Sequence, residues 1–121
     1  MQRLILVDAS VIIRKVGKRI LSDLGYLVNE VEDVKSAMAL CEGGLPAVLI
    51  VDSCLDDATA LIRDVRNLPG GDAVKIHYCL VEAKLKTMMQ GKRAGADDFL
   101  LKPFDREILT KIFSDQSRSA A

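Results

Sequence analysis

The sequence predicts a doubly wound α/β domain, a (βα)5 chain whose five strands form one parallel sheet with helices on both faces. Three observations predict it. Short, continuous apolar runs alternate with longer stretches whose apolar residues recur at helical spacing. The short runs lack the in–out alternation of a half-exposed sheet, so both of their faces must be covered. The chain has 121 residues, half of them hydrophobic and 28% charged, which is one domain's worth with a full core. No Pro-, Gly- or Ser-rich linker and no internal repeat divides residues 1–121.

The elements follow in order. Leu4-Ile5-Leu6-Val7 reads as a buried strand stopped by Asp8. Ser10 is placed to N-cap the next helix, in which Ile13, Val16, Ile20, Leu21 and Leu24 follow helical spacing, and Gly25 ends it as a C′ glycine. Tyr26-Leu27-Val28 opens a second strand, and Asp33 caps a helix through Ala37, Met38 and Leu40 to Gly43-Gly44. Ala47 to Val51 is the most apolar strand and also ends in aspartate, Asp52. A third helix covers roughly 57–67, Val74 to Val81 forms a strand, and 83–94 a helix ending at Gly95. Phe99-Leu100-Leu101 is the fifth strand, broken by Lys102-Pro103. Asp105 caps a last helix to about 114, and 115–121 reads as a disordered tail. Right-handed crossovers leave the flavodoxin-like strand order 2-1-3-4-5 as the leading topology.

Composition excludes several functions. Seventeen basic and seventeen acidic side chains cancel, so the chain lacks the basic excess of a DNA-binding module. Three cysteines without a C-x-x-C pair give neither a disulfide framework nor a zinc site. No apolar run reaches membrane-span length and no signal-peptide core is visible, so a cytoplasmic domain with no membrane role is expected. The zero balance conceals an asymmetry of −3 over residues 1–60 and +3 over 61–121.

In such sheets ligands bind beyond the carboxyl ends of the strands, and Asp8, Asp52 and Lys102 all fall there. Two neighbouring carboxylates need a compensating cation, either Mg²⁺ or the Lys102 ammonium. An aspartate beside such cations suits nucleophilic attack on phosphorus. A single Asp after a strand more often caps a helix, but the three positions together favour a site.

These residues carry a resemblance. Leu6-Val7-Asp8, Glu32-Asp33, Val51-Asp52, Ala94-Gly95-Ala96-Asp97-Asp98 and Lys102-Pro103-Phe104 stand in the order and spacing of the CheY-like receiver domains of two-component signalling, over residues 3–113. The resemblance implies that Asp52 is the phosphoacceptor, with Lys102 contacting the phosphoryl group. It implies an Mg²⁺ site of Asp8, Asp52 and the Cys54 carbonyl. It places Leu80 and Phe99 at the switch positions, and a histidine kinase or histidine phosphotransfer protein as donor. Three departures stand out. Ala9 replaces the usual second acid, so Mg²⁺ binding should weaken unless Asp56 or Asp57 reaches in. Leu80 replaces a hydroxyl residue, and Val81 replaces a small one, narrowing access to Asp52. The loss of one hydrogen bond to a charged group is worth about 1.5–3 kcal/mol, comparable with a switch's own free energy.

Weaker signals remain. Val11 and Ile12 cannot share one buried helix face with Ile13, and the family docks its histidine-bearing partner there; packing under a loop is the plain alternative. Lys84, Lys86, Lys92 and Arg93 fall in a stretch without an acid, on what the resemblance makes the output helix. They would suit an acidic partner or a phosphate-rich ligand, unless they form an ordinary solvated face. His77, alone in its strand, reads as packed, and Cys41, Cys54 and Cys79 as small apolar residues.

The expectation is therefore an atypical, stand-alone, monomeric response regulator, phosphorylated on Asp52 and signalling to a downstream protein by contact. It is not an enzyme beyond intrinsic phosphotransfer and autophosphatase chemistry. The rival is a pseudo-receiver that binds partners without phosphate, motivated by Ala9 and Leu80. A small flavin or phosphotransfer enzyme on the same fold would need a Gly-rich phosphate loop after the first strand, and none is present.

Overall fold

A computed structural model describes residues 1–119, with side chains to residue 114. Strands β1 (Arg3–Val7), β2 (Leu27–Val31), β3 (Val48–Asp52), β4 (Lys75–Leu80) and β5 (Asp98–Leu101) alternate with helices α1 (Val11–Asp23), α2 (Val34–Gly43), α3 (Ala58–Asn67), α4 (Leu85–Ala94) and α5 (Arg106–Ser119). All strand pairs are parallel, in the predicted order β2-β1-β3-β4-β5. Helix α5 passes its expected end near 114. The side chains from 115 onward and residues 120–121 lie outside the described residues; of the expected tail, 115–119 continue α5.

The continuous apolar strands are buried on both faces because successive side chains point to opposite sides. Ile5, Val7, Leu49, Val51, Ile76, Tyr78 and Leu80 pack against Ala37 of α2, Leu61, Ile62 and Val65 of α3, and Ala94 of α4. Leu4, Leu6, Val48, Ile50, Cys79 and Leu100 face the other way, onto Ile20 and Leu21 of α1 and Leu109 and Phe113 of α5. His77 belongs to this second layer, buried with its ring 4.8 Å from that of Phe113. Met88 packs against the first layer from α4, while Met89 stays exposed.

The caps are where the sequence placed them. The Ser10 hydroxyl accepts from Ile13 N at 3.3 Å, Asp33 from Ser36 N at 2.8 Å, and Asp105 from Ile108 N at 2.9 Å. Helix α1 is rolled relative to the expectation from spacing: Val16 is 43% exposed, while Arg14, Gly17, Ile20 and Leu21 are buried. Gly17 causes the roll, since a Cβ there would stand 2.7 Å from the Leu6 side chain. With no side chain at 17, α1 settles directly on β1 and brings Arg14 inward.

One tether has no counterpart in the sequence reading. Arg66, in the last turn of α3, donates to the carbonyls of Gly71 at 2.8 Å, Val74 at 2.7 Å and Gly95 at 2.6 Å. It also pairs with Asp97 at 2.9 Å. The end of α3 is thereby fixed to the connections entering β4 and β5.

Candidate functional site

The register sets the site. Val7 pairs with Val51, so Asp8, just past β1, stands level with Asp52, the last residue of β3. Leu80 pairs with Leu101, which places Lys102 one residue beyond β5 at the same edge of the sheet. Its amide donates to Leu80 O at 2.8 Å, and the following Lys102–Pro103 peptide is cis.

Lys102 Nζ lies 3.0 Å from Asp8 Oδ2 and 3.0 Å from Asp52 Oδ1. Both aspartates are buried and the Lys102 side chain is only 12% exposed, so the three form one nearly desolvated cluster. Burial alone would pull the ammonium's pKa down, but hydrogen bonds and charge from Asp52 and Asp8 more than offset this, and the pKa lies above the ordinary lysine value. The remaining contacts are backbone: Asp8 Oδ1 accepts from Ser10 N at 2.9 Å and Asp52 Oδ1 from Cys54 N at 3.0 Å. Asp52 Oδ2 takes no hydrogen bond among the described residues. One carboxylate oxygen of the cluster is thus left with a lone pair for another electrophile.

A second charged cluster, missed in the sequence, supports the first. Arg14 donates through Nη1 to the carbonyls of Asp8 at 2.8 Å and Ala9 at 3.1 Å, and through Nε to Glu30 at 2.9 Å. Glu30, at the far end of β2, also holds Lys15 at 2.8 Å. Its carboxyl is kept below the ordinary range by the Lys15 hydrogen bond first, against an opposing push from burial, and then by Arg14. Arg14 fixes the β1–α1 turn that carries Asp8. The available signal was a charged residue at 14, three and seven positions before Gly17 and Leu21 on one helix face.

The other expected residues are distributed as follows. Ala9 is exposed, and neither Asp56 nor Asp57 joins Asp8 and Asp52; among the described residues no three metal-ligating side chains converge. Two carboxylates with hard oxygen donors fit Mg²⁺ as a sparse site, one in which water or a phosphate completes the shell. Leu80 is 1% exposed, sealed in the core with no hydroxyl to offer, and Phe99 is half-buried against the same layer. Val81, 59% exposed, forms part of the wall of an open pocket of about 410 Å³ beside the cluster, with Ser53, Cys54, Leu80, Glu82, Lys84 and Thr87. Cys54 is exposed, whereas burial pushes the Cys79 and Cys41 thiols upward and leaves them inert.

Val11 and Ile12 are 57% and 74% exposed, with Val16 beside them, so no loop covers this end of α1. Two of the four residues of the basic stretch border cavities. Lys84 lines the pocket by Asp52 and contacts Glu82 at 3.5 Å, while Arg93 turns toward α3; Lys86 and Lys92 are exposed. Among the described residues no helix is long and apolar enough to cross a membrane.

The comparisons agree with this geometry. Residues 4–114 match the family described as the response regulator receiver domain. Response regulator MprA of Mycolicibacterium vanbaalenii is 30% identical over 109 residues, 88% of this chain but 46% of its own, so the chain spans about half of that relative. The chemotaxis response regulator CheY4 of Vibrio cholerae superposes with a TM-score of 0.88 at 27% identity, over 95% of this chain and 98% of that one. The receiver domain of sensor histidine kinase PA1611 from Pseudomonas aeruginosa, solved with magnesium in its active-site cleft, gives 0.84 at 28% identity, covering 94% and 95%. With the matched residues spanning β1 to α5 and the aspartate–lysine cluster at the expected strand ends, the chain belongs to the response regulator receiver family.

Proposed function

We propose that this chain accepts a phosphoryl group on Asp52 from a phosphohistidine of a histidine kinase or phosphotransfer protein, and passes the signal on through protein contact. One observation carries the reading: Lys102 Nζ sits 3.0 Å from both buried aspartates at the carboxyl edge of the sheet. A carboxylate beside a fixed cation in a nearly dry site is what stabilising charge on a transferring phosphoryl group requires, and this supports the reading. Asp52 Oδ2 would form the new O–P bond as the P–N bond to the donor imidazole breaks, and the imidazole would leave with the electron pair. Lys102 would then neutralise an oxygen of the acyl phosphate. Asp8 and Asp52, with the Cys54 carbonyl that the family resemblance adds, would hold Mg²⁺, which when bound supplies further positive charge for the phosphoryl oxygens. The exposed Val11 and Ile12 beside the site provide an apolar surface for the donor, and Phe99 with the α4 side a route to the target.

Leu80 favours a second reading. A leucine at this position leaves the phosphoryl group without the side-chain hydroxyl that would couple it to β4. On that reading the chain binds partners without phosphate. One experiment separates the two. The chain is treated with Mg²⁺ and a small acyl phosphate or beryllofluoride, and intact mass and amide shifts are followed. A phosphoryl adduct lost in Asp52→Asn, with shifts spreading to Leu80 and Phe99, supports the switch. A folded chain with no adduct and no shifts supports the phosphate-independent adaptor.

A further inference from the structure

Helices α3 and α4 leave a polar cleft on the side of the sheet away from α1. Its outer part, about 330 Å³, is lined by Thr59 and Arg63 of α3 and Gln90 and Arg93 of α4. It continues inward, past Thr59, Arg63 and Gln90, into a space of about 300 Å³ bounded by Ser53, Leu55 and Asp57 and reaching Tyr78. Such volumes are at the small end of ligand sites.

Two features distinguish this cleft from an ordinary wet surface. Arg63 and Arg93, both exposed, approach it from opposite helices, and among the described residues neither makes an ion pair or a hydrogen bond. Two like charges that share the outer cleft, with the one lining carboxylate, Asp57, confined to the inner wall, repel each other and gain from an anion placed between them. The second feature is Tyr78. It is only 3% exposed, yet it lines the cleft and its hydroxyl has no partner among the described residues. A buried phenol is normally satisfied, so a hydroxyl left open toward a cleft marks a place for an acceptor. Burial first, and then the nearby Asp52 carboxylate, raise its pKa, and a phenol is a donor at neutral pH in any case. Gly91 makes the arrangement possible: a Cβ there would overlap the Tyr78 ring, so only glycine lets α4 lie close enough to place Gln90 and Arg93 around it.

We propose that the α3–α4 cleft binds a phosphate-bearing small molecule. The guanidinium groups of Arg63 and Arg93 hold the phosphate, with Thr59 and Gln90 completing its hydrogen bonds. Asp57, the one carboxylate on the inner wall, directs the anionic end outward toward Arg93 and leaves the inner space, with the Tyr78 hydroxyl, to an uncharged polar part of the ligand. Because Ser53, Leu55 and Asp57 follow Asp52 directly, an occupant would touch the loop that carries the acceptor. The proposal does not depend on Asp52 being phosphorylated.

The test is amide-shift titration of the full chain with pyrophosphate, ATP and adenosine. Saturable shifts at Thr59, Tyr78 and Gln90 are expected with the two phosphates and not with adenosine. Arg63→Gln and Arg93→Gln should each weaken binding by about tenfold or more, the cost of one charge-assisted contact. Lys111→Gln, on the exposed surface of α5 across the sheet, should leave it unchanged. Tighter binding of ATP than of pyrophosphate assigns the phosphate to a nucleotide; equal binding assigns it to phosphate alone. Absence of saturable shifts in the folded chain would overturn the proposal. So would equal response to adenosine or persistence in both arginine variants.

Discussion

Lys102 holds the site together more than either aspartate does, because it alone satisfies both. Its removal in Lys102→Met would leave two carboxylates buried side by side without a cation. A loss of roughly 3–5 kcal/mol in urea unfolding is expected, the cost of breaking a buried pair from one side. Asp52→Asn should cost less, since Lys102 keeps Asp8. Position 9 is the second decisive residue. Ala9→Asp adds a third carboxylate beside Asp8 and should tighten Mg²⁺ by about tenfold or more, read by calorimetry or by Mg²⁺-dependent amide shifts. Unchanged affinity would mean that the metal does not approach from that side.

At the scale of elements, the sheet supplies the edge and the loops supply the geometry. Arg66 shows how much of this is invisible locally. It donates to three carbonyls from two connections, and Arg66→Met would leave those of Val74 and Gly95 without a donor, while Gly71 O keeps Val74 N at 3.3 Å and Asp97 keeps Ile76 N at 2.8 Å. A loss of about 3 kcal/mol follows if two such charged hydrogen bonds go unreplaced. Hydrogen exchange should rise first at the segment around Gly71 and at Gly95, before the core strands open. The caps, by contrast, were legible. Ser10, Asp33 and Asp105 act within three residues of their partners, so their chemistry is written in consecutive sequence. The roll of α1 was not: apolar spacing pointed to Val16, and the choice of Gly17 and Arg14 depends on β1 and on the β1–α1 turn, which only the packed structure brings together.

For the whole molecule, charge placement sets how stability responds to pH. Glu30 has a lowered pKa in the folded chain, so its contribution is complete above the ordinary glutamate value of about 4.3 and fades as pH falls through the folded value. Lys102 has a raised one, so its contribution is complete below about 10.4 and fades as pH rises through the folded value. The difference in unfolding free energy between the wild type and Glu30→Gln should therefore be largest near neutrality and shrink at pH 3, measured by urea melts at both. The five-strand order and the meeting of Asp8, Asp52 and Lys102 were readable because β1, β3 and β5 each end where an apolar run meets a charged residue. The α3–α4 cleft was not, because Arg63, Tyr78 and Arg93 sit in three separate elements with no shared spacing.

The packing of Tyr78 under Gly91 also has an optical consequence. The chain has no tryptophan and two tyrosines, so its near-ultraviolet emission comes from phenol rings alone. Tyr26 is buried in the opposite layer, bonded to the Phe113 carbonyl at 3.1 Å and edge-on to its ring. In a Tyr26→Phe background the remaining emission reports one ring, the one held between β4 and α4. Any shift of α4, or any occupant of the cleft, becomes a change in intensity that needs no label.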